Sequence, residues 1–256
     1  LSGFMRMDQE VEWIYGINPI IEAIRADREI KEIYVSSGRK DKLDYILKEA
    51  EKRRIIVKIK DREFFDSRFP KGHQGIAALT RKRRSFSLGE LIEIPFERKE
   101  VPFFVILDCI EDPRNVGAII RTAEAAGVHG IVMQAYRSAG IGPEVVKTSA
   151  GATEYLPVSI VPNIKQAIRM MRDKGILIIG AEAGPYHAPW EMELTGPLAV
   201  VIGSEGKGLR RTVREDCDII VSLPMKGRVN SLNVSVATGI LLFEILRQKM
   251  LKFEKL

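Results

Sequence analysis

Two cysteines and three histidines in 256 residues leave this chain poor in metal ligands and in the means of covalent cross-linking. Cys109 and Cys217 lie in apolar or strand-like contexts, so buried free thiols are expected rather than a disulfide. His73, His129 and His187 are scattered without metal-ligand spacing, and no metal site is expected. No apolar run is long enough to span a bilayer. The opening LSGFMRMDQEVEW lacks a basic stretch followed by an apolar one, so no signal peptide is expected and a cytoplasmic protein is. The common nucleotide fingerprints are missing too. In VVIGSEGKGL (200–209) the glycines read G-x-x-G-x-G, which fits neither the P-loop nor the dinucleotide pattern G-x-G-x-x-G. A nucleotide-dependent dehydrogenase is thereby disfavoured.

What is present is a globular composition with a basic tilt. Hydrophobic residues make up 45% of the chain, enough for a sizeable core, and the net charge is +6, which suits a polyanionic partner. Residues 1–80 read as a small α/β unit. Strands are expected at 32–36, 55–59 and 75–80. Helices are expected after Asn18-Pro19, around Leu43–Ala50, and from Asp61 to Phe65. Residues 81–102 carry four consecutive cations at 81–84, then a polar tail with prolines, and read as a linker. The cations fit either a solvated linker or a contact with RNA phosphates.

From 103 to 256 apolar strands alternate with helices. The strands expected at 103–108, 176–182 and 198–203 are almost continuously apolar, as in a parallel sheet covered on both faces. In such sheets ligands sit beyond the carboxyl ends of the strands, and three loops there are unusual. In DCIEDPRNVGAIIRTAEAAGV (108–128), Asn115 is a candidate helix cap, and Arg121 stands on an otherwise small, apolar helix. Arg121 reads either as an exposed surface arginine or as a functional one. Glycines surround Ser204, Glu205 and Lys207 in the second loop, which is either a plain turn or a backbone cradle. The third, SLPMKGRVNSLNVS (222–235), puts Asn230, Ser231, Asn233 and Ser235 at the mouth of an apolar helix. One cap would account for Asn230 or Ser231, and the surplus polar groups suggest a site.

Taken together, NVGAIIRTAEAAG, VVIGSEGKGL and LPMKGRVNSLNVSVATGILLFE resemble, in this order, the three motifs of the SPOUT RNA 2′-O-ribose methyltransferases, in their TrmH/RlmB-like branch. YGINPIIEAI and HQGIAAL are similar to the ribosomal-protein-like RNA-binding domain that precedes the catalytic domain in the RlmB branch, although Asn18 stands where relatives often have histidine. The resemblance implies an α/β fold with a small RNA substrate-binding domain at 1–80, a linker at 81–102 and a parallel-sheet SPOUT domain at 103–256, the last with a deep trefoil knot. It also implies a homodimer whose active site lies close to the subunit interface.

The implied reaction is S-adenosylmethionine-dependent 2′-O-methylation of a guanosine ribose in 23S ribosomal RNA, without a metal. The alternatives are a transfer RNA substrate or, in another class, a non-catalytic RNA-binding protein. By position, Gly203, Leu223, Met225 and Leu232 would contact the cofactor. Asn115, Arg121, Glu205, Ser231 and Asn233 would form the catalytic constellation. The family proposal makes Arg121 the base. A guanidinium stays protonated in proteins, so clamping the target phosphate is the role expected here.

Overall fold

The architecture follows from which strands are apolar on both faces and which on one. The structure is a computed structural model that describes residues 11–38, 43–228 and 231–253. Two compact units emerge: the described residues up to Arg84 together with Ile141–Tyr155, and Ser85–Gly140 together with the described residues from Leu156 onward.

The first unit runs β1 (Val11–Tyr15), α1 (Ile17–Arg25), β2 (Ile30–Ser36), α2 (Asp44–Lys52), β3 (Ile56–Lys60), α3 (Arg62–Arg68) and β4 (Ile76–Arg81). Its sheet order is β1-β4-β2-β3, with only β2 and β3 parallel. One face of the sheet packs on α1 and α2 through Ile20, Ile24, Ile46 and Ala50, with Ile14, Ile33 and Ile76 beneath. Strand β1 was not expected from the sequence; it is held by antiparallel pairing from Val11 to Tyr15 with β4. The expected cap at Asn18 is displaced as well. Helix α1 starts at Ile17, and the Ile17 N–H donates to Gln74 Oε1 at 3.0 Å.

A helix from later in the chain, Pro143–Thr148, completes this unit, and Val146 is buried in the same core as Ile20 and Ile24. A buried charge cluster fastens the segment. Arg28 donates to Glu154 at 2.8 Å and also pairs with Glu12, while Arg83 donates to Thr153 at 3.0 Å and to Glu154 at 3.3 Å. Arg83, one of the four consecutive cations, is thus inside the unit rather than on a solvated linker.

The second unit runs α4 (Leu88–Glu97), β5 (Phe103–Leu107), α5 (Pro113–Ala125) and β6 (Gly130–Gln134). The Pro143–Thr148 helix, α6, intervenes. There follow β7 (Val158–Val161), α7 (Ile164–Asp173), β8 (Leu177–Ala181), β9 (Leu198–Ile202), α8 (Arg211–Arg214), β10 (Ile219–Val221) and α9 (Val234–Phe253). Six parallel strands lie in the order β10-β8-β9-β5-β6-β7. Strands β5 and β9 are buried along their whole length, which is why their sequences do not alternate. Helix α7 covers one face with Ile164, Ala167, Ile168 and Met171, one helical stripe.

The segment expected to be a linker at 81–102 instead contains α4. Ser87 and Glu90 form a reciprocal capping box, and Leu91 and Ile92 enter the main core. The polar tail and Pro95 hid this helix, and Pro95 sits within it, giving up one intrahelical N–H donor.

Among the described residues, no helix is long and apolar enough to cross a membrane. Lys249 on α9 is only 9% exposed, donates to Gly196 O at 3.3 Å and sits 5.2 Å from the Phe103 ring centre. Burial pushes its pKa down from 10.5 to about 8. The unfolded chain therefore holds this proton longer than the folded one. The burial penalty is present in full below the folded value and is relieved as pH rises through it. Lys249→Met should raise Tm at neutral pH, and its advantage over the parent should shrink between pH 8 and 10.5 in a thermal-melt series.

Candidate active site

Helix α9 begins at Val234, and its first N–H groups have no partner within the helix. Asn233 supplies one: its Oδ1 accepts from the Ser235 N–H at 2.9 Å, the Val236 N–H at 3.4 Å and the Ser235 hydroxyl at 2.6 Å. Asn233 is therefore the cap, in place of the expected Asn230 or Ser231; Asn230 lies outside the described residues. The other end of the same amide points the opposite way. Its Nδ2 donates to Asn115 Oδ1 at 3.0 Å and to Glu205 Oε1 at 2.9 Å. One side chain thus joins the loops that follow β5, β9 and β10. Aspartate could cap the helix equally well, but its ionised carboxylate has no donor for Asn115 or Glu205.

Asn115 does not cap α5. Asp112 does, accepting from the Arg114 N–H at 2.8 Å, and Pro113 opens the helix. Asn115, two residues on, is 7% exposed and turned toward Asn233.

The loop after β9 closes on itself. The Ser204 N–H donates to Gly208 O at 3.1 Å and the Gly208 N–H returns to Ser204 O at 2.9 Å. Gly206 and Gly208 have φ of 76° and 66°, in the left-handed region. A Cβ at Gly203 would stand 2.2 Å from the Gly208 carbonyl carbon, so the turn closes only because residue 203 has none.

Between this turn and the start of α9 lies a cavity of about 490 Å³. Gly203, Leu223, Met225 and Leu232 line it, and so do Glu205, Ser231 and Asn233. Asn115 lines a neighbouring cavity that shares Ser204, Glu205, Lys207 and Gly208 with the first. Arg121 lines neither. Six residues after Asn115, it lies about 9 Å along the helix and about 120° around it. There it is exposed, with no hydrogen bond or ion pair to any described residue.

Asp108 and Arg210 escaped the sequence reading. Asp108, at the carboxyl end of β5, is fully buried and accepts from Arg210 Nε at 2.7 Å and from the Arg210 N–H at 3.1 Å. The bond to Asp108 raises the Arg210 guanidinium further above its ordinary value. The pair fixes the far end of the glycine turn against the central strand. An aspartate ending an all-apolar strand was the available signal, since such a carboxylate needs a partner. Both cysteines are free thiols. Burial pushes Cys217 up to about 12, with Asp218 and Asp216 adding to the shift. Among the described residues, no group of three or more His, Cys, Asp or Glu side chains is placed to hold a metal ion.

Two substitutions test this construction. Asn233→Ala removes cap and bridge together. Asn233→Asp keeps the cap, removes the donor and sets a carboxylate against Glu205. Urea unfolding should show Asn233→Asp destabilised by about 1–3 kcal/mol despite the intact cap, the cost of unpaired polar groups. Gly203→Ala should abolish ligand binding in the cavity, read by calorimetry, because the turn has to open to admit the methyl group.

The profile of the SpoU rRNA Methylase family matches residues 102–243, and that of RNA 2′-O ribose methyltransferase substrate-binding domains matches residues 13–86. The 23S rRNA (guanosine-2′-O-)-methyltransferase RlmB of Escherichia coli strain K12 is 38% identical over 241 residues, 93% of this chain and 99% of that protein. Its counterpart from Pectobacterium atrosepticum is 39% identical over 241 residues, 93% of this chain and 98% of that one. Among solved structures, the SpoU methyltransferase AviRb from Streptomyces viridochromogenes, crystallised with AdoMet, superposes with a TM-score of 0.76 at 23% identity, covering 98% of this chain and 94% of that one. That likeness concerns the fold. Site geometry, full-length similarity and both matching profiles lead to one conclusion: this chain belongs to the SpoU rRNA methylase family.

Proposed function

We propose that the protein transfers a methyl group from S-adenosylmethionine to the 2′-oxygen of a guanosine ribose in 23S ribosomal RNA, in the cytoplasm. The observation that carries this reading is the Asn233 bridge, which draws Asn115 and Glu205 together beside the cavity that Gly203, Leu223, Met225 and Leu232 line. Relatives that carry this activity in their names align with nearly the whole chain.

The cavity suits the donor. Leu223, Met225 and Leu232 offer apolar surface to a purine, and Gly203, which lets the turn close, adds its backbone to the wall. When bound, the donor supplies a methyl carbon already activated by its sulfonium. The chain has to bring the acceptor oxygen into line and accommodate its proton. Asn233 and Glu205 hold the turn and the start of α9 in register. The exposed Ser231 stands at the cavity wall, where its hydroxyl can bond a ligand. Arg121 binds the target phosphate and orients the 2′-hydroxyl. We read the chain as knotted at this point, the trefoil formed by the loops around the cavity.

A second copy of the chain completes the site in this reading. Val236, Ile240 and Phe243 are 51%, 42% and 48% exposed, and they form one stripe along α9. Helix α5 packs on α9 near this stripe, with Thr122 against Gly239, so the exposed Arg121 stands close to the face that a partner would cover. Residues 1–80, with α6, grip RNA. Their exposed strand β3 carries Lys58 and Lys60, and Arg68 lies 4.3 Å from the Phe64 ring centre. Deleting residues 1–80 is a poor test of that role, because it would strip α6 of the core in which Val146 sits.

Purified protein, methyl donor and separate pools of ribosomal and transfer RNA provide the direct test. Mass spectrometry should find one 2′-O-methylguanosine in a 23S fragment. The mark in transfer RNA instead would reassign the substrate, and none in either would leave an RNA-binding protein. Arg121→Ala should lower turnover by roughly a hundredfold or more. If Arg121 serves the partner's cavity, mixing Arg121→Ala with Asn233→Ala protein should restore activity that neither has alone.

A further inference from the structure

The second cavity, of about 540 Å³, opens beyond the carboxyl ends of β5, β6 and β9. It adjoins the cavity assigned to the methyl donor, and the two are divided by the Ser204–Gly208 turn that lines both. Their walls differ in chemistry. The donor side has Leu223, Met225 and Leu232, whereas Arg137, Arg210 and Arg211 rim the second, and Lys207 stands on the turn that lines both.

Not all of those cations are available to a ligand. Arg210 is committed to Asp108 and Gln134, and Arg211 faces Glu215 at 3.8 Å. Arg137 leans toward the Tyr136 ring, 5.8 Å from its centre, and neither Arg137 nor Lys207 forms an ion pair with a described residue. The carboxylates on the same wall are mostly engaged: Asp112 with Arg114, and Glu205 with Asn233. Glu111 remains, exposed on the rim. Two cations on opposite loops, one after β6 and one after β9, therefore flank a cavity that touches the donor site through a single turn. A phosphodiester strand has this pattern of charge, with a sugar between two phosphates.

We propose that this second cavity seats the acceptor strand, and that Arg137 and Lys207 hold phosphates of that strand next to the target phosphate assigned to Arg121. The identity of the occupant rests on the methyl-transfer reading; the phosphate contacts are tested independently of it. Exposed Tyr136 stands beside Arg137, where a neighbouring base can stack.

The test uses full-length protein and overlapping transcripts of 23S rRNA, with binding read by fluorescence anisotropy over a range of salt. The Arg137→Ala/Lys207→Ala double variant should bind its best transcript at least tenfold more weakly. Its log–log salt slope should fall by about 1.4, at roughly 0.7 for each phosphate contact on a single strand. Donor affinity of the Arg137→Ala single variant, whose side chain lines only the second cavity, should stay within twofold of the parent by calorimetry, and in methyl transfer its rise in KM for RNA should outweigh any fall in kcat. Unchanged affinity and slope would overturn the proposal, as would an equal loss of donor affinity in the single variant, which would make Arg137 a support of the turn. Parent protein that binds RNA yet transfers no methyl would remove the functional reading, while the salt slope would still judge the cavity.

Discussion

One neutral amide holds the candidate site together. Asn233 spends its oxygen on the first turn of α9 and its nitrogen on Asn115 and Glu205, which lie 118 and 28 residues away in the chain. A group that accepts at one end and donates at the other can do both without adding charge to the site. Each bond contributes only about 0.5–1.5 kcal/mol net. The larger consequence is geometric. The bridge sets where the glycine turn stands relative to Leu232 and the mouth of the helix, and so sets the width of the cavity between them.

The same centre shows how a small backbone feature divides two chemistries. Gly203 lets the strand end pass within contact of Gly208, and the resulting turn is thin enough to serve as a shared wall. One side carries Leu223, Met225 and Leu232, and the other Arg137, Arg210 and Arg211. In the proposed reaction this arrangement would let donor and acceptor meet while their different surfaces are recognised separately. Asp108, buried at the end of the central strand, anchors the turn from behind through Arg210.

What could be read from the sequence was what broke a local rule. Four polar side chains at the mouth of an apolar helix exceed the need of a single cap. Glycines clustered after a buried strand signal close approach. Continuous apolar runs at β5 and β9 mark strands covered on both faces. What escaped were features that obey local rules but depend on distant partners. Strand β1 is a five-residue segment that only its pairing with β4 identifies. Helix α4 looked like a tether because its polar side faces water, although Ser87 and Glu90 were spaced as a capping box. Arg121 stands out in the sequence as a lone cation on a small, apolar helix, but one chain leaves it outside both cavities that the other motif residues line, since helical spacing turns it away from Asn115. Arg83 reads from sequence as part of a cationic run, either solvated or in contact with RNA, because no sequence pattern places Glu12 and Glu154 beside it.

The helix α6 lies far downstream of the sheet it packs on, and this bears on how the protein is made. Val146 and the Glu154 carboxylate complete the core and the charge cluster of the first unit, yet they are synthesised only after β5 and β6. A nascent chain emerging from the ribosome therefore carries Arg28 and Arg83 without one of their counter-ions until some seventy residues beyond Arg83 have followed. Domains generally fold as units in the order of synthesis. Here the first unit is completed only once residues 141–155 have been made, so its packing cannot finish in simple order of synthesis.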